Sequence, residues 1–103
     1  MIQGRFSPQA RRDLDEICAF INAANPDAAR KVRRTILDTA DLLARSPEIG
    51  RSIRNASGAH QETRWFVVPG FRNYLIFYRP YEDSVMVIRV LNAARDWTQF
   101  FPL

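Results

Sequence analysis

The sequence predicts an α+β fold: an N-terminal strand, an antiparallel two-helix hairpin and a small, mostly antiparallel β-sheet that receives the hairpin, in the order β-α-α-β-β-β. Three observations carry that prediction. Ser7-Pro8 and Asn25-Pro26 each open a run of apolar residues at helical spacing. The C-terminal half holds three short, nearly continuous apolar segments separated by turn residues. A short alternating segment precedes the first helix.

In that first segment, residues 2–7 (IQGRFS), Ile2, Gly4 and Phe6 fall on one side and Gln3, Arg5 and Ser7 on the other. Ser7 is a good N-cap, and proline at the next position lacks only an N–H that would have had no helical partner. Ala10, Leu14, Ile17 and Ile21 then make one face of a helix over residues 8–23, with Arg11, Arg12, Asp15 and Glu16 opposite. Asn25-Pro26 repeats the start signal. Ala29, Val32, Ile36, Ala40 and Leu43 form the second stripe, which Leu37 and Ala44 widen, until Pro47 and Gly50 end it after Ser46. So short a connection folds the two helices back on each other.

Residues 47–62 read as a polar loop with Arg51, Arg54 and His60. Strands are predicted at 63–68 (TRWFVV), 73–79 (NYLIFYR) and 84–91 (SVMVIRVL). Pro69-Gly70 closes the first, and Pro80-Tyr81-Glu82-Asp83 makes a tight hairpin between the other two. Their nearly unbroken apolar character predicts that both sheet faces are covered, at least in part. In a regular last strand, Arg89 would oppose Met86, Ile88 and Val90 across the sheet, and Arg79 would share a side with Leu75 and Phe77.

The 103 residues suit one domain spanning 1–103, and the 47% apolar and 25% charged fractions are those of a folded chain. No apolar run reaches the ~20 residues that cross a bilayer, and the first residues hold no signal-like stretch. A cytoplasmic location is expected, in keeping with a lone cysteine, Cys18. Net charge is +4, and all basic residues but Lys31 are arginine. Arginine forks onto phosphates and carboxylates, which suits a nucleic-acid or acidic protein partner; a GC-rich genome also selects its codons.

The chemistry these residues can support is narrow. One histidine and one cysteine make no metal-ligand cluster, and no glycine-rich phosphate loop is present, so neither metal nor cofactor is expected. Cys18 reads as a small buried or half-buried thiol rather than a nucleophile. Arg30, Lys31, Arg33 and Arg34 open the second helix; the plain reading is a solvated face balanced by Asp27 and Asp38, the other a docking surface for an acidic partner.

The words FSPQARRDLDEI (6–17), NPDAA (25–29), LLARSPEIGR (42–51), YLIFYRP (74–80) and RVLNAARDW (89–97), in this order and spacing, resemble the RelE/ParE superfamily of type II toxin–antitoxin toxins. LIFYRP followed by VIRVLNAARD is more similar to the ParE branch. The resemblance implies a toxin of about this length, neutralised by a small antitoxin whose C-terminal segment wraps it, with DNA contacted only through the antitoxin. It implies DNA gyrase as the target of a ParE-like member, and ribosome-dependent mRNA cleavage for a RelE-like one; a non-toxic relative that only binds its partner is a third outcome.

Metal-free RNA cleavage needs a base, an acid and cations around the phosphorane. Arg64, Arg79 and Arg89 could supply the cations and His60 or a tyrosine the proton transfer, but His60 sits in the loop and no tyrosine follows Tyr81. ParE-like chains commonly carry histidine where this one has Asn92, which cannot titrate near neutral pH. The expectation is therefore a binding protein without catalytic residues. Arg64, Arg72, Arg79, Arg89, Asn92, Arg95 and Trp97 are its candidate target- or antitoxin-binding residues, with the arginines on one basic surface clear of the helices. The plainer reading is that Arg95 and Asp96 pair with each other or with nearby strands and fix where the chain leaves the sheet, and that Trp97 covers the edge of the core.

Overall fold

A computed structural model of the chain describes residues 3–53 and 62–94. The N-terminal strand β1 (Gln3–Phe6) leads into helix α1 (Pro8–Asn22), and α2 (Pro26–Arg45) follows after a short turn. Both predicted caps form: the Ser7 hydroxyl accepts from the Ala10 N–H and the Asn25 side chain from the Ala28 N–H. Strands β3 (Arg64–Val67), β4 (Tyr74–Pro80) and β5 (Ser84–Asn92) match the three predicted segments to within a residue or two.

Residues 47–62 depart from a plain loop. Pro47–Ile49 makes a 3-10 turn, and β2 (Arg51–Ser52) pairs antiparallel with Arg64 and Trp65 of β3. Two residues are too few to show an alternation, so this strand left no periodic signal.

The five strands lie in the order β1-β5-β4-β3-β2. β1 runs parallel to β5, and the other neighbours are antiparallel. The β3–β4 connection turns at Pro69-Gly70: Phe71 N–H donates to Val68 O, and Gly70 has φ 78°, the left-handed value a type II turn needs after its proline.

Apolar residues fill both faces of the sheet, as the unbroken strand runs predicted. The larger core joins Ala10 and Leu14 of α1 and Val32, Ile36, Ala40 and Leu43 of α2 to Ile76, Tyr78, Val85, Val87 and Val90. A smaller one on the far face holds Ile53, Leu75, Phe77 and Leu91, with Trp65 and Ile88 against it. The second-helix stripe is buried as expected, except that Leu37 remains 38% exposed.

The last strand is not regular. Phe77 stands opposite Arg89 but Tyr78 opposite Val87, so Ile88 is an extra residue, a β-bulge. The bulge corrects the simple alternation. Val87 and Val90 both pack in the helix-side core, whereas Ile88 packs on the far face and no longer shares a side with Val90.

Candidate partner-binding surface

β1 pairs with β5 only as far as Phe6 and Val87. Past that point the edge of β5 would carry unpaired backbone groups. Helix α1 and its N-cap supply the partners instead. The Ser7 hydroxyl donates to Ile88 O at 3.1 Å, and the Asp13 carboxylate accepts the Val90 N–H at 3.0 Å. Asp13 also takes Arg89 in a fork, Nε to Oδ2 at 2.7 Å and Nη2 to Oδ1 at 3.0 Å, and Gln9 Nε2 at 3.2 Å. A buried carboxylate with four such bonds has its charge well solvated by the protein. Sequence reading missed Asp13, although a signal existed: it lies with Ala10, Leu14 and Ile17 at i, i+3, i+4 and i+7, so a charge was placed on a core-facing stripe and required a partner.

Arg64 is held differently. Its Nη1 donates to Gly50 O at 2.7 Å and Glu48 O at 3.3 Å, backbone carbonyls of the 3-10 turn and the residue after it. Opposite it on β4, the Tyr78 hydroxyl accepts the Gly50 N–H at 2.9 Å and donates to Pro47 O at 2.7 Å. Burial pushes the Tyr78 phenol above the ordinary tyrosine value, against smaller opposing effects of its bond from Gly50 and of Arg64. A Cβ on Gly50 would lie 2.2 Å from that hydroxyl oxygen, so any larger residue forces the buried Tyr78 ring to shift.

The remaining candidates are scattered. Arg79 follows Tyr78 on β4, so alternation sends it to the far face, with its guanidinium 5.9 Å from the Tyr81 ring centroid. Arg72 is exposed in the β3–β4 turn. Asn92 ends β5, exposed, its Oδ1 accepting the Ala94 N–H at 2.9 Å. His60, Arg95, Asp96 and Trp97 lie outside the described residues. The expected single basic surface is thus corrected. Arg64 and Arg79 emerge on opposite faces, because adjacent strand positions do, and Arg89 turns into α1, because the β5 edge needs a partner there.

The basic start of α2 is outward-facing. Arg30 pairs with Asp27, Arg34 with Asp38 at 4.0 Å, and Arg33 reaches across to Asp15 of α1 at 3.0 Å. Among the described residues no cluster of three or more His, Cys, Asp or Glu side chains could hold a metal ion. No described helix is long and apolar enough to cross a membrane.

Residues 5–97 match the family model described as ParE toxin of type II toxin-antitoxin system, parDE. The chain belongs to the ParE toxin family. Two curated relatives of this ParE-family chain carry toxin names: Y4kP of Sinorhizobium fredii, 37% identical over 92% of each chain, and Toxin RelE3 of Caulobacter vibrioides, 31% identical over 84% of this chain and 88% of that one. The solved chromosomal ParDE TA system from P. aeruginosa contains a chain of the same fold. Its TM-score is 0.71 at 17% identity, over 89% of this chain and 96% of that one. Membership of a type II toxin family implies a cognate antitoxin as partner for this ParE relative.

Proposed function

We propose that this toxin acts by stoichiometric binding to DNA gyrase in the cytoplasm, and that its cognate antitoxin neutralises it. The observation that carries the proposal is the engagement of Arg64 and Arg89 within the fold. Arg89 is forked onto a buried carboxylate and Arg64 onto two backbone carbonyls, so two of the three cations considered for a phosphorane already serve the architecture. Tyr78, beside Arg64, spends its hydroxyl on two backbone bonds and is fully buried. A base must reach the proton it removes. Exposed Arg72 and Asn92, with Arg79, Arg95 and Trp97, remain the residues proposed to contact the target or the antitoxin.

The RelE3-named relative supports a second reading, ribosome-dependent mRNA cleavage by Arg64, Arg79 and Arg89 with His60. Gyrase supercoiling assays run beside primer extension on cellular mRNA distinguish the two. Inhibited supercoiling with intact mRNA is expected. Cleaved mRNA with normal supercoiling overturns the proposal, and silence in both assays identifies a non-toxic, partner-binding relative.

A further inference from the structure

The second core lies on the sheet face turned away from the helices, and no residue of α1 or α2 belongs to it. Leu91 stands opposite Leu75, and Leu75 opposite Val67, so the three form a row across β5, β4 and β3 on that face. Leu91 and Leu75 are 1% and 6% exposed, and Phe77, one row further along, is fully buried. Val67, at the β3 end of the row, is 37% exposed. The described apolar neighbours of this core are Ile53, Trp65 and Ile88, each in a strand or directly after one. Side chains within one sheet do not roof one another, and burial this deep needs a second layer. That layer reaches over β5 and β4 and gives out before Val67.

Three stretches of the chain lie outside the described residues, and they differ in what they could bury. Met1 and Ile2 precede Gln3, which pairs with Ser84 at the opposite end of β5. Residues 54–61 (RNASGAHQ) carry no apolar side chain larger than alanine. Residues 95–103 (RDWTQFFPL) carry Trp97, Phe100, Phe101, Pro102 and Leu103, so only this stretch has large apolar surface to remove from water. It also begins in the right place. Asn92 stands opposite Tyr74 and the Ala93 N–H donates to Asn73 O at 2.7 Å, so the chain leaves the sheet just beyond the leucine row. Neighbouring strands are ~4.8 Å apart, whereas nine extended residues span ~30 Å, so length does not limit the crossing.

We propose that residues 95–103 fold back over the far face as a strap, with Phe100, Phe101 and Leu103 closing the second core above Leu75, Phe77 and Leu91. The residues before Phe100 bridge the way from Ala94. The inference concerns how the chain completes its own core and stands apart from the choice of target.

The first test needs no substitution. In the full chain with labelled leucine methyls, nuclear Overhauser cross-peaks are expected between the aromatic protons of Phe100 and Phe101 and the methyls of Leu75 and Leu91. Their absence overturns the proposal. So does their appearance between two copies in a mixed-label sample, which would make a second chain the cover. The second test is a double-mutant cycle in thermal unfolding. Phe100→Ala with Phe101→Ala should lower the melting temperature by about 8 °C or more. In that background Leu91→Ala should lower it by at most about half as much as in the parent, because part of what Leu91 packs against has already gone. Val87→Ala, on the helix side of the same strand, should cost the same in both backgrounds. Equal losses from Leu91→Ala with and without the two phenylalanines would mean that the strap does not cover this face.

Discussion

Arg89 and Asp13 stand 76 positions apart in the chain and meet side-on in a two-bond fork, with Asp13 also accepting the backbone N–H of Val90. One carboxylate therefore joins the first helix to the last strand where β1 ceases to pair. Removing it takes the forked bond from a largely buried guanidinium and the acceptor from a buried N–H together. Asp13→Ala is expected to lower stability by about 3 kcal/mol, read from urea unfolding. Replacing both members by apolar residues, Asp13→Leu with Arg89→Met, should cost less than the single change, because the largely buried charge is removed with its carboxylate. A loss under about 1 kcal/mol for Asp13→Ala would show that the fork does not anchor the helix.

Gly50 and Tyr78 form a second close contact, with the Gly50 N–H donating to the Tyr78 hydroxyl. An added methyl at Gly50 meets the Tyr78 hydroxyl at 2.2 Å and its ring carbons at 2.7 and 2.8 Å. Gly50→Ala should destabilise the chain by about 2 kcal/mol through overpacking. Tyr78→Phe removes the nearest clashing atom, so Gly50→Ala should be milder in that background. A double-mutant cycle by thermal unfolding measures the difference; strictly additive effects would contradict this account.

The sequence made the helices and long strands legible because cap residues and periodicity are local signals. Ser7, Asn25 and the α2 stripe behave as their spacing dictates. The bulge at Ile88 was not legible, since no glycine or proline marks it; it is visible only as a register change against β4. That single extra residue undid the expectation for the faces of the last strand. The candidate arginines were legible as residue types but not as a site. Whether an arginine is presented or consumed depends on partners far along the chain, Asp13 for Arg89 and the 3-10 turn for Arg64. The order of the words carried the family, because order survives where individual contacts cannot be foreseen.

Alkaline pH should weaken the fold through two buried acids. Burial raises the Cys18 thiol above its ordinary 9.0, offset in part by Arg33 and reinforced by Asp15. Burial likewise raises the Tyr78 phenol above 10.0. For a group whose folded pKa is raised, the unfolded chain releases its proton first. The stabilisation is complete below the unfolded value and is lost as pH climbs through the folded one. Stability should therefore decline first above pH 9 and further above pH 10. Cys18→Ala should remove the earlier decline and Tyr78→Phe the later. Urea midpoints across that range, with phenolate absorbance as a check, decide it; profiles that do not change in either variant would refute the assignment.

Arg64 and Arg72 should separate architecture from recognition. Arg64 ties β3 to the carbonyls of Glu48 and Gly50, so Arg64→Ala leaves those acceptors without their charged donor and should cost about 1–3 kcal/mol of stability. Arg72 is exposed in a turn, and Arg72→Ala should leave the melting curve within about 0.5 kcal/mol of the parent. If gyrase binding is the activity, Arg72→Ala should raise the concentration needed to inhibit supercoiling without altering the fold. Arg64→Ala should lose inhibition only in proportion to the fraction unfolded, and should regain it when the temperature is lowered. The opposite pattern, a well-folded Arg64→Ala that no longer inhibits beside a fully active Arg72→Ala, would mean that Arg64 meets the target directly and leaves the turn to bind it.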